Sequence, residues 1–181
     1  GYHKKVDLAL DCAASEFCRA GRYYPINNHE GMHARGLLEY YKHLVRLYPI
    51  ISIEDPFEQD DFTHFAELKR VLHGKAQVVG DDITATNVQR MTLAARAGAI
   101  GCLLLKLNQI GTVSEALEAA SFAHKHGWRV MVSHRSGETT DDFIADFAVG
   151  IGADMIKAGA PARGERVAKY NQLMRIEEMM R

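Results

Sequence analysis

The sequence carries almost no surplus charge of either sign: 22 Lys and Arg stand against 23 Asp and Glu, for a formal net charge of -1. That balance advertises neither nucleic acid nor an anionic membrane surface, so any anionic ligand has to be met by local groups. Cysteine is scarce. Cys12, Cys18 and Cys102 form no C-x-x-C and no Cys/His pair at zinc spacing, which speaks against a disulfide framework and for a reducing compartment. No apolar run approaches the roughly 18 residues of a membrane span. The opening GYHKKVDLALDCAASEF passes from a charged start directly into a short apolar run, unlike a signal peptide. Neither G-x-G-x-x-G nor G-x-x-x-x-G-K-[ST] occurs, which removes the Gly-rich first turn expected of a nucleotide-binding, doubly wound sheet.

What is present is a repeating pattern in 181 residues, 47% of them apolar, enough for one sizeable core. Six short apolar runs recur: VDLALD (6–11), IISIED (50–55), AQVVGDD (76–82), CLLLKL (102–107), RVMVSH (129–134) and ADMIKA (153–158). Between them lie segments with apolar residues at helical spacing, such as Leu37, Leu38, Tyr41, Leu44, Val45 and Tyr48, or Phe62, Phe65, Leu68 and Leu72. Strands alternating with helices predict an α/β fold with parallel strands and right-handed crossovers. At or one residue before the last position of each run sits a polar, chemically capable residue: Asp11, Glu54, Asp81, Lys106, His134 and Lys157. In a barrel those ends converge on one mouth, so we read the chain as a partial TIM-type (β/α) barrel of six βα units. A closed barrel needs eight strands and typically about 250 residues. The reading therefore requires a missing or separate N-terminal segment to cover the open edges.

The strand ends suggest specific chemistry. Asp11, Glu54 and Asp81 make an all-oxygen cluster of the kind that hard divalent cations take, Mg²⁺ among them, although each acid taken alone also suits a loop or a helix cap. Asp82 is an alternative to Asp81; strand alternation favours Asp81 and leaves Asp82 to pair with a lysine. Lys106 directly follows three leucines, an unexpected place for an amine. Two ammonium groups near a metal, Lys106 and Lys157, are expected to have lowered pKa values, which makes Lys106 a candidate general base. The other reading of each is a snorkelling lysine paired with a carboxylate. In SHRSG, Arg135 offers a planar fork and Ser136 a hydroxyl to a phosphorylated acid, with His134 beside them. The remaining histidines, His3, His29, His33, His43, His64, His73, His124 and His126, show no ligand spacing and read as surface residues.

LDCAASEF, SIEDPF, VVGDDITATN, LLLKLNQIGTVSEALEAA, VMVSHRSGETTDDFIADFAVG and IKAGAPARGERVAKYNQLMRIEE, in that order over essentially the whole chain, closely resemble the C-terminal barrel of the enolase (phosphopyruvate hydratase) family. The resemblance implies one domain over 1–181, an incomplete barrel holding strands three to eight. It also implies Mg²⁺-dependent, reversible dehydration of 2-phosphoglycerate to phosphoenolpyruvate in glycolysis and gluconeogenesis, in a cytoplasmic lyase that forms homodimers. Carried over by motif, Asp11, Glu54 and Asp81 are the metal ligands and Lys106 is the base. Lys157 contacts the substrate carboxylate, Arg135 and Ser136 bind phosphate, and His134 contacts substrate. The family's acid for the leaving hydroxyl and its capping domain lie upstream of the first motif, so activity is expected only together with an N-terminal segment or chain. Ala158, Gly164 and Val88 stand where relatives usually have Thr, Ser and Pro. Two other readings stay open: a non-catalytic, enolase-like binding or regulatory protein, and a superfamily member acting on a related phosphorylated or phosphonate acid.

Overall fold

A computed structural model of the chain describes residues 5–26 and 29–181; His3 lies outside them. Among the described residues, eight strands, seven α-helices and a 3-10 turn follow in chain order: β1 (Leu8–Asp11), the 3-10 turn (Ala14–Phe17), β2 (Cys18–Arg19), β3 (Arg22–Tyr23), α1 (Ala34–Leu47), β4 (Ile50–Glu54), α2 (Phe62–Leu72), β5 (Gln77–Gly80), α3 (Val88–Ala97), β6 (Cys102–Leu105), α4 (Leu107–Ile110), α5 (Val113–Lys125), β7 (Arg129–Ser133), α6 (Phe143–Gly150), β8 (Met155–Lys157) and α7 (Gly164–Met179). Six strands form one all-parallel sheet in the order β1-β4-β5-β6-β7-β8, while β2 and β3 pair apart as a small antiparallel hairpin. The sheet curls into a half-barrel. β1 and β8 are its edges, and Lys157 of β8 nonetheless reaches Asp11 of β1 at 2.8 Å.

Side-chain alternation divides the two faces of the sheet. Leu103 and Leu105 of β6, Val130 and Val132 of β7, Val78 of β5 and Ile53 of β4 join the main core beneath the helices. The intervening Val79, Cys102 and Leu104 form a second cluster inside the curl, with Met131 and Met155 packed against it. Each fully buried Leu or Phe in these layers contributes about 1.5–3 kcal/mol of transfer free energy. With both faces covered, β6 is buried along its entire length.

Local signals set the helix ends. Asp61 caps α2 by accepting the His64 N–H at 3.1 Å, Asn87 caps α3 by accepting from Gln89 and Arg90, and Thr112 caps α5 by accepting from Glu115. Gly98 closes α3 at φ 67°, a conformation that costs glycine little. Three boundaries differ from the sequence reading. α1 stops at Leu47, and Tyr48 is exposed past its end. β1 begins at Leu8 rather than residue 6, and β5 ends at Gly80, so Asp81 and Asp82 occupy the turn that follows. The β2–β3 hairpin is not visible in the apolar pattern, because two-residue strands leave no periodicity to read. Most of the histidines read as surface residues are exposed, but His64 is partly buried, its Nδ1 2.8 Å from Asp61 and its ring tilted against Phe57. Among the described residues, no helix is long and apolar enough to cross a membrane.

Candidate active site

The same alternation aims the polar strand ends. Ala9, Ser52, Val79, Leu104 and Met155 lie on the inner side of the curl, or in register with residues that do, and two residues beyond each comes Asp11, Glu54, Asp81, Lys106 or Lys157. Five chemically capable groups are thus carried to one rim. Beneath them runs a cavity of about 400 Å³ whose lining includes Asp11, Glu54, Met131, Met155 and Lys157.

Three carboxylates occupy adjacent ends. Asp11 lies opposite Glu54 in the β1–β4 register, and the Lys157 Nζ donates to Asp11 Oδ2 at 2.8 Å and to the two Glu54 oxygens at 2.9 and 3.0 Å. Asp11 is exposed and Glu54 is buried. Burial pushes the Glu54 carboxyl up to about 7, against the opposing pull of Lys157. Lys157 itself runs contrary to expectation. Burial disfavours its charged form, but hydrogen bonds to Asp11 and Glu54 outweigh that and raise its pKa. Of the two readings of this residue, the geometry favours a strand-end cation paired with carboxylates.

Asp81 is held differently. Lys106 Nζ donates to Asp81 Oδ2, and Gln109 Nε2 to Oδ1 at 3.3 Å. The lysine partner expected for Asp82 therefore goes to Asp81, because Lys106 extends from the inner face on which Asp81 lies. The backbone of this turn is fixed by Asp55, buried and in a left-handed conformation at φ 41°. Its two carboxylate oxygens accept the N–H groups of Asp81 at 2.9 Å and Asp82 at 2.7 Å, while its own N–H donates to Val79 O at 3.1 Å. Burial raises the Asp55 carboxyl to about 7. Asp55, Asp81 and Asp82 each offer a ligand atom within 4.8 Å of one another. The sequence reading misses Asp55; it stands in SIEDPF beside a strand end, but nothing local shows that both its oxygens meet a turn 26 residues away.

On the other side of the rim, His134 N donates to Lys157 O at 2.9 Å, joining the loop after β7 to the end of β8. His134 is partly buried, which lowers its pKa. Arg135 and Ser136 are exposed, with Arg135 Nη1 donating to Asn108 Oδ1 at 3.3 Å. Lys106 is tied into the neighbouring turn as well, its N–H donating to Thr86 Oγ1 at 3.0 Å.

The donor chemistry fits a hard divalent cation. All three rim acids are oxygen ligands, and Asp11 and Glu54 already converge on a single cationic atom.

The curled parallel sheet with acids and amines on its C-terminal rim defines a (β/α)-barrel domain of the type that places its chemistry at the strand ends. Residues 1–181 match the family described as "Enolase, C-terminal TIM barrel domain", and the chain belongs to that family. It is 53% identical over 180 residues to the enolase of Methanocaldococcus jannaschii and 50% identical over 185 residues to enolase 2 of Hevea brasiliensis, with 98% of this chain covered in both. It spans 41% and 42% of those proteins, about two fifths of their length.

Proposed function

We propose that this chain is the catalytic barrel portion, strands three to eight, of a phosphopyruvate hydratase that converts 2-phosphoglycerate reversibly to phosphoenolpyruvate in the cytoplasm, in concert with an N-terminal portion and as part of a homodimer. The observation that carries the reading is the convergence of Asp11, Glu54, Asp81, Lys106 and Lys157 on one rim beside Arg135.

The chemistry asks for that combination. A proton next to an ionised carboxylate is scarcely acidic, so removing it requires a positioned base and cations that hold the negative charge as it develops. A lysine or histidine base working with one or two Mg²⁺ ions is an established pattern of the enolase superfamily, and Lys106 is assigned by matching that pattern. Lys106 takes the proton. Lys157 faces the substrate carboxylate, the Arg135 fork and Ser136 hydroxyl bind the phosphate, and His134 lines the same face. Asp11, Glu54 and Asp81 would hold Mg²⁺, which supplies Lewis-acid stabilisation of the enolate charge. The acid that protonates the leaving hydroxyl comes from the N-terminal portion.

The test combines the purified chain with the N-terminal portion of a relative, Mg²⁺ and 2-phosphoglycerate, and follows phosphoenolpyruvate by absorbance. Turnover is expected in the mixture and in neither part, and Lys106→Ala should lower it by at least about 10²-fold, the lower scale of a lost general base. A complex that assembles and stays silent would sink the proposal.

A further inference from the structure

Helix α7 buries one side chain fully, and it is a lysine. Lys169 Nζ donates to Thr139 O at 2.7 Å and Glu165 O at 2.6 Å, and it lies 2.6 Å from Glu138 Oε1 in a close ionic contact. Two carbonyls thus accept hydrogen bonds from the ammonium, and the carboxylate balances its charge at close range. Glu138 passes the anchor onward: its Oε2 accepts the Arg135 N–H at 3.0 Å, and its own N–H donates to Arg135 O at 3.2 Å. The turn carrying Arg135 and Ser136 is therefore closed on itself and fastened to α7 from below. The same end of the helix also reaches the loop after β8, where Tyr170 Oη donates to Gly159 O. A Cβ at Gly159 would lie 2.6 Å from Arg166 Cδ and 3.1 Å from His134 Cε1.

We infer that Lys169 is a positioning residue: acting through Glu138, it holds residues 135–139 in the shape that presents Arg135 and Ser136 to an anionic ligand. The identity of the ligand rests on the phosphate reading proposed for Arg135 and Ser136, whereas the anchoring of the loop does not. Arg135, Ser136 and Gly137 are exposed, so no core packing orders this turn. Without the anchor, a bound ligand would itself have to restrict the loop, and its affinity would fall accordingly.

The experiment uses the 181-residue chain and the variants Lys169→Met, Glu138→Gln and their double. Amide hydrogen exchange without ligand reads the loop, and calorimetry with phosphoenolpyruvate and Mg²⁺ reads binding. Each single variant is expected to speed exchange at residues 135–139 by at least about tenfold while leaving β5 and β6 unchanged. The double should be no faster than either single, since one relay is being cut twice. Phosphoenolpyruvate affinity should fall by about tenfold, the lower scale for lost support behind a binding group. Unchanged exchange in both variants, or acceleration spread evenly over the chain, overturns the inference. If Lys169→Met does not fold, Glu138→Gln alone decides, because its side chain lies at the edge of the buried pair. Faster loop exchange in a chain that binds no phosphoenolpyruvate even as wild type and with the N-terminal portion of a relative added upholds the positioning role and refutes the phosphate reading.

Discussion

The two sides of the rim are built on different principles. On the acid side, β1, β4 and β5 end in carboxylates fixed by their own strands: Asp11 and Glu54 face each other in register, and Asp55 clips the turn holding Asp81 to the end of β4. On the other side, β7 and β8 end in loops whose shape is held from a distance, by Lys169 and Tyr170 of α7. Glu54, Asp55 and Asp81 are buried, whereas Arg135 and Ser136 are exposed. Charges that must converge need a rigid frame, because any drift separates them and leaves each desolvated without compensation. Groups that meet a ligand from solvent need only be presented.

That contrast is sharpest where the frame is cut. Asp55→Asn keeps the shape of the side chain but turns an amide NH₂ toward one of two backbone N–H donors that now meet carboxylate oxygens. Stranding a buried donor in this way should cost about 3 kcal/mol. Urea unfolding of the variant is expected to show this loss with an unchanged m-value, and a loss under about 1 kcal/mol would mean that the clip is incidental. Gly80→Ala tests the same turn from its outer face. The added Cβ would meet Ile83 Cγ2 at 2.8 Å and Ile100 Cδ1 and Cγ2 at 3.0 Å, all in the tightly packed main core. Overpacking there should cost about 2 kcal/mol, and full wild-type stability would show that the acid side has more give than its contacts suggest.

How much of this is legible in the residues alone follows the same division. All six sheet strands and five of their polar ends can be read there, because a strand buried on both faces is a short unbroken apolar run and its last inward position follows by counting in twos; His134 is the exception, since it follows Val132 of the outer layer while Met131 faces the inner one. Counting also separates Asp81 from Asp82. The clip at Asp55 cannot be read, since an acid beside a strand end looks alike whether it meets water or two amides from another turn. Lys169 is hidden for a related reason: on α7 it looks like any charged residue of an exposed helix, and only the placement of Glu138 and Thr139 against it shows why it is buried. The expected lowering of the Lys157 pKa fails because it rests on the neighbouring cation and the metal and leaves out the carboxylates that accept hydrogen bonds from the amine. Strand parity is local information; the partner of a buried charge is not.

The smallest effect on stability is expected on the far side of the rim. Arg135→Ala removes an exposed guanidinium whose side-chain hydrogen bond is a single contact of 3.3 Å to Asn108, and it leaves the backbone N–H that Glu138 accepts untouched. Unfolding free energy should therefore stay within about 0.5 kcal/mol of wild type. Ligand binding should respond very differently. Hydrogen bonds to a charged group are worth about 1.5–3 kcal/mol, so the affinity of the chain for phosphoenolpyruvate in the presence of Mg²⁺ should fall by about 10- to 150-fold. Urea unfolding and calorimetry on the two chains measure the two numbers. A variant that loses stability and affinity together would show Arg135 to be part of the frame, and the two sides of the rim would then differ in exposure alone.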